Sequence, residues 1–208
     1  MKFKKILTSM TQALLLSLGL LISLSMGLAI GYVGGLVKDQ PVLTQKEMKE
    51  QINNISKNSE VYFGSGEKLG TINSELIRKT VTYENLGDNV KNAIIASEDS
   101  NFYSNSGINI FAILIATHSE ASTITQQLVK NQLLDNSRSY ERKAKEILLA
   151  LRVDSHFSKN EILENYLNVA PFGKNSLGQN ISGIETAAQG VFGVHSKDLN
   201  IAQAAYLI

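Results

Sequence analysis

The chain opens on 32 consecutive uncharged positions, Ile6 to Val37, dominated by Leu, Ile, Gly, Ala and Ser. A bilayer core takes about 20 apolar residues as a helix, so this run is long enough to span one. Residues 39–59 are polar, with Leu43, Met48, Ile52 and Ile55 near helical spacing. That pattern predicts a short amphipathic stalk helix or an ordered linker. Val61-Tyr62-Phe63 and Leu69-Gly70-Thr71-Ile72 flank Gly64-Ser65-Gly66 and read as a β-hairpin. From Asp88 the period becomes helical, with Asp88 as the expected cap and Val90, Ala93, Ile94 and Ser97 on one face. Further helices are expected over 109–116, from a Ser122 cap through Ile124 and Leu128, and over 140–153, 159–168, 183–189 and 201–207. The fold class is therefore mostly α with a small β-hairpin, preceded by one N-terminal transmembrane helix. The expected organisation is an anchor over 1–38, a stalk or linker over 39–59 and a globular domain over 60–208. The final Ala204-Ala205-Tyr206-Leu207-Ile208 carries no Gly, Pro or basic stop signal, so a chain cut inside a helical pattern is expected.

Charge gives the first run an orientation. Lys2, Lys4 and Lys5 precede it, while Lys38 and Asp39 cancel after it. The positive-inside rule then places the N-terminus in the cytoplasm and the rest outside. A cleaved secretory signal has an apolar stretch of roughly 7–15 residues and a small-residue cleavage site. This run is longer and has no clear site of that kind, which favours an uncleaved signal-anchor. The whole chain carries 20 basic and 19 acidic residues, net +1; without the three leading lysines the remainder is 17 against 19, or −2. Such a balance offers no basic face for nucleic acid. The absence of cysteine excludes a disulfide-stapled scaffold and a thiolate metal site, and suits an exported domain.

Four polar clusters stand out. Glu98-Asp99, followed by Phe102, Asn105 and Gly107, closes an apolar helix. A carboxylate at the rim of an apolar face suits proton transfer; the plain alternative is a helix that ends in water. Ser122-Thr123-Ile124-Thr125-Gln126-Gln127-Leu128-Val129-Lys130-Asn131 crowds hydroxyls, amides and a lysine, with Gln127, Lys130 and Asn131 on one helical face. Such a face suits sugars or phosphates, or is simply solvated. Arg142, Lys143 and Glu146 form either an anion site or surface ion pairs worth about 0.3–0.5 kcal/mol. Lys159 through Ile162-Leu163 to Tyr166-Leu167-Asn168 reads as scaffold with a polar rim at Asn168.

In order and spacing these clusters resemble the peptidoglycan glycosyltransferase domain (family 51 transglycosylase). This is the lysozyme-like helical module of class A penicillin-binding proteins and monofunctional transglycosylases. The matching motifs are Glu98-Asp99-x-x-Phe102 with Gly107; Ser122-Thr123-x-Thr125-Gln126-Gln127 with Lys130-Asn131; Arg142-Lys143-x-x-Glu146; Lys159-x-x-Ile162-Leu163-x-x-Tyr166-Leu167-Asn168; and Gly183-Ile184-x-x-Ala187-Ala188. The resemblance covers roughly residues 60–208.

The resemblance implies a membrane enzyme that polymerises lipid II into β-1,4-linked glycan and releases undecaprenyl pyrophosphate. Glu98 matches the general base. Lys130, Arg142 and Lys143 match the positions that hold the pyrophosphate. Glu146 matches a second catalytic glutamate that binds a divalent cation, Mg2+ or Mn2+, or organises the basic pair. Asp99, Phe102, Ser122, Thr123, Thr125, Gln126, Gln127 and Asn131 match substrate-contacting or site-shaping positions. No organic cofactor is implied. The implied partners are lipid II, the growing strand, the membrane and cell-wall synthesis or division proteins. The Phe111–Ile115 run is a candidate membrane contact or an ordinary buried face.

This sequence departs from the family pattern at Asn105, where His is usual, at Glu120-Ala121, where Gly-Gly is usual, and at Gln203, where Glu is common. The loop between the first two motifs is also short. These departures motivate an alternative, a weak or inactive lipid II-binding scaffold. A lysozyme-like hydrolase using Glu98 as acid is a third reading, and the basic cluster argues against it.

Overall fold

In the computed structural model the described residues are 2–38, 43–54, 60–71, 76–109, 122–135, 137, 139–174, 178 and 180–208. The helix expected over 109–116, the membrane-contact run at 111–115 and the departures at Glu120 and Ala121 lie outside them. The chain divides into two compact units, residues 1–42 with 139–145, and residues 43–138 with 146–208.

In the first unit, helix α1 runs from Lys2 to Val37. Its Met10–Val37 stretch is long and apolar enough to cross a membrane, with mean hydropathy reaching 2.3 within it. The hydroxyls of Ser17, Ser23 and Ser25 donate to the carbonyls of Leu14, Gly19 and Ile22 at 2.8–2.9 Å. The helix thereby satisfies these polar donors internally, as a lipid environment requires.

The second unit begins with α2 (Gln45–Asn53), held by a Thr44/Glu47 capping box. Backbone and hydroxyl donors of Thr44 hold the Glu47 carboxyl below the usual carboxylate range. Met48 and Ile52, four apart, are 1% and 0% exposed and belong to the core of this unit. The short amphipathic helix expected within 39–59 is thus present, and an apolar pair on one face docks it onto the core of this unit.

β1 (Glu60–Tyr62) and β2 (Lys68–Thr71) form the expected antiparallel hairpin. A second sheet was not foreseen. It has the order β3-β5-β4, built from Leu76–Arg78, Asn180–Ser182 and Pro171–Lys174. β3 runs parallel to β5, and β4 antiparallel to it. Beyond β3 the backbone pairs with side chains. The N–H groups of Lys79, Val81 and Tyr83 donate to Thr186 Oγ1 (2.6 Å), Asn168 Oδ1 (2.9 Å) and Glu164 Oε2 (2.8 Å). Asn168 Nδ2 also donates to the Val81 carbonyl at 2.8 Å, so Asn168 is a buried strand mimic and not a polar rim.

The other helices are α3 (Asp88–Glu98), α4 (Ile124–Gln132), α5 (Tyr140–His156, which starts in the first unit), α6 (Lys159–Val169), α7 (Ile184–Phe192) and α8 (Ile201–Leu207). Two expected caps move by one residue. Gly87, not Asp88, precedes α3, because a Cβ at 87 would lie 2.9 Å from the Ser196 and Lys197 carbonyls. Thr123, not Ser122, caps α4 through a box with Gln126. Val90, Ile94, Phe102, Ile124, Leu128, Val153, Ile162, Leu163, Leu167, Ile184 and Ala204 form one apolar core with α2.

Between α7 and the turn at Ser196–Asp198 lies a buried carboxylate. Glu185 accepts from Ser196 Oγ (2.7 Å), Ser196 N (2.9 Å), His195 Nδ1 (2.7 Å) and Gln189 Nε2. Burial raises its pKa, but these partners outweigh burial and the net direction is down.

Two outcomes follow. Ile52→Ala should cost about 2–5 kcal/mol, read as a lower Tm in detergent; an exposed stalk would leave Tm unchanged. Because the folded pKa of Glu185 is lowered, its contribution is present above the unfolded value of about 4.3 and is lost as pH falls through the folded value. Wild-type Tm should therefore drop more steeply than that of Glu185→Gln as pH is lowered below about 5, and parallel profiles would contradict this.

Candidate active site

Glu98 is the last residue of α3, and Asp99 leaves the helix at φ −157°, ψ 77°. The turn that follows buries Phe102 completely and ends at Gly107, whose φ is +83°. A Cβ at 107 would lie 2.6 Å from the Ala150 carbonyl and 2.8 Å from Asp154 Cβ, so only glycine fits between this turn and α5. The turn is fastened to the start of α4 at both ends. Asp99 Oδ2 accepts from Ile124 N at 3.2 Å, and Thr123 Oγ1 donates to the Gly107 carbonyl at 2.6 Å.

This fastening sets α4 beside the end of α3. Gln127 Nε2 donates to Glu98 Oε2 at 2.6 Å and reaches the Ser122 carbonyl at 3.4 Å. Tyr166 on α6 donates its hydroxyl to Gln127 Oε1 at 2.9 Å. The result is a chain of three side chains, Tyr166 to Gln127 to Glu98, from three helices. Tyr166 is 5% exposed. Burial first, and then the Glu98 charge, push its phenol well above the ordinary tyrosine pKa, so it stays a donor. Glu98 is exposed, which leaves the carboxylate open to an incoming group. Lys130 and Asn131, also exposed, stand one turn beyond Gln127 on the same helix.

Several expected substrate contacts face inward instead. Phe102, Thr123, Thr125 and Gln126 are 0%, 2%, 0% and 1% exposed. Phe102 fills the core, and Thr123 and Gln126 form the helix cap. Gln126 also donates through Nε2 to Glu146 Oε1 at 3.2 Å. These side chains shape the site from behind and are assigned no direct hold on a substrate. Asp99 is likewise engaged with the protein. Ser122 is half-buried at the mouth of α4. Arg142 and Lys143 belong to the other unit, in the first turns of α5, both half-buried; Ser139 Oγ accepts from Arg142 N at 3.0 Å.

Glu146, expected to bind a divalent cation or to organise the basic pair, lies inside the protein. It is 1% exposed, and among the described residues no three His, Cys, Asp or Glu side chains gather as a metal site. No step below is routed through a metal.

Tyr166, Asn105 and Lys159 were not among the expected site residues. Tyr166 had the spacing of a core residue four beyond Ile162, and only the fold shows where its hydroxyl goes. If Tyr166 stays protonated, Tyr166→Phe should leave the absorbance-monitored tyrosine titration of the folded protein unchanged up to about pH 11. Loss of one ionising group in that range would contradict the assignment.

A family model described as Transglycosylase matches residues 64–208. Among curated proteins the chain is 36% identical over 189 residues to a penicillin-binding protein 1A of Clostridium perfringens, covering 85% of this chain and 26% of that protein. It is 37% identical over 194 residues to a penicillin-binding protein 2a of Streptococcus pneumoniae (90% and 25%). It is 40% identical over 158 residues to a penicillin-binding protein 1A of Aquifex aeolicus (72% and 21%). The chain thus spans about a quarter of the length of the curated relatives it matches. With the motif order and this match over most of its length, the chain belongs to the transglycosylase family.

Proposed function

We propose that the chain is a membrane-anchored peptidoglycan glycosyltransferase that joins lipid II units into β-1,4-linked glycan and releases undecaprenyl pyrophosphate. The observation that carries this reading is the exposed Glu98 carboxylate, fixed from behind by Gln127 and Tyr166. A sugar 4-hydroxyl is a poor nucleophile until its proton is removed. Glu98 takes that proton as the oxygen attacks the anomeric carbon of the donor. The bond from that carbon to the diphosphate breaks and its electron pair leaves with the diphosphate. One displacement inverts the α-linked donor to a β-linked product. Lys130 balances the charge that grows on the leaving group, the role that the family resemblance also implies for Arg142 and Lys143.

Both substrates carry lipid tails, so anchoring through α1 confines enzyme and substrate to one surface and raises their effective concentration. The leading lysines support a cytoplasmic N-terminus and a catalytic unit on the outer face. Cell-wall synthesis or division proteins are the partners this role brings within reach.

The test uses purified protein in detergent with labelled lipid II. Wild type should give long glycan. Glu98→Gln should lose about 10²–10⁴-fold in rate, with Tm little changed because Glu98 is exposed. Lys130→Ala should lower the rate by about 10–10³-fold. Lipid II binding without polymer would favour the scaffold reading, and fragments released from finished wall would favour a hydrolase.

A further inference from the structure

We infer that Asn105 is a positioning residue for this reaction, a clamp that holds the turn after Glu98 against the start of α4; the inference rests on the functional reading above. Its side-chain amide is engaged at both its nitrogen and its oxygen. Nδ2 donates to Asp99 Oδ1 at 3.0 Å and Oδ2 at 2.9 Å. Oδ1 accepts from Gly107 N at 2.9 Å and Lys159 Nζ at 3.2 Å. Two N–H donors on one side and a carboxylate on the other leave the amide one orientation.

The anchor behind it is charged. Lys159, at the start of α6, also donates to the Asn105 carbonyl at 2.9 Å and to Asp154 Oδ1 at 2.5 Å, and lies 4.9 Å from the Phe102 ring centre. Asn105 therefore links α5 and α6, through Asp154 and Lys159, to Asp99. Asp99 in turn takes the first N–H of α4, the helix whose next turn carries Gln127. The Glu98–Gln127 contact depends on where α4 begins relative to the end of α3, and Asn105 fixes that offset without facing the substrate itself.

Asn105→Asp separates the clamp from mere bulk. It keeps the volume and the acceptors for Gly107 and Lys159, but removes the donor to Asp99 and sets two carboxylates together. Its kcat on lipid II should fall about 10–100-fold, the scale of a small misplacement in a catalytic pair, with KM within about 3-fold because no substrate contact is lost. Asn105→His, which keeps an N–H for Asp99, should rescue kcat to within about 3-fold of wild type on the same argument. Hydrogen–deuterium exchange gives a readout independent of activity. Peptides covering 99–107 and 122–127 should lose protection in Asn105→Asp and keep it in Asn105→His. Unchanged kcat and protection in Asn105→Asp, or a loss confined to KM, would overturn the clamp while leaving the functional reading standing. A wild type that makes no glycan would overturn the functional reading, and the exchange pattern would then decide the clamp alone.

Discussion

A primary amide has two unlike ends, and the site depends on that of Gln127 being pointed one way. The Tyr166 hydroxyl donates to its oxygen, which turns its nitrogen toward Glu98. A neutral phenol, kept protonated by burial and by the Glu98 charge, is what makes this ordering hold. The carboxylate is thus aimed while one of its faces stays in water. Aim without enclosure suits a base that must meet a bulky sugar arriving from outside.

The second motif divides its labour by helical face. Ile124, Leu128 and Val129 tie α4 into the core, and Thr123 and Gln126 close its first turn. Gln127, Lys130 and Asn131 are left for the solvent side. A dense run of polar residues is therefore two layers, an inner one that fixes the helix and an outer one in which Gln127 holds Glu98 while Lys130 and Asn131 face solvent. Glu146, sealed against Gln126, belongs to the inner layer.

Helix periodicity carried much of the architecture. The apolar spacing of α6 and α8 and the Gly-Ser-Gly hairpin were readable because each is a local pattern. Caps slipped by one residue at Gly87 and Thr123, where a neighbouring carbonyl or a side-chain box, and not residue type alone, chooses the first turn. The β3-β5-β4 sheet was invisible because its strands have only three or four residues and β3 pairs with β5 across about a hundred positions of sequence. At the site, Glu98, Gln127 and Lys130 could be named from motif order. The inward turn of Thr125 and Gln126, and the enlistment of Tyr166 and Asn105, could not, since a side chain's chemistry does not say which neighbour the fold will bring.

The segment after β3 has a further consequence. Lys79, Val81 and Tyr83 point their N–H groups along one edge, and each meets an oxygen from a helix side chain. An extended edge with open donors recruits other extended chains, through aggregation or by peptide capture. Here Thr186, Asn168 and Glu164 occupy those three donors without adding a strand. A strand docking there would first have to displace three side-chain oxygens.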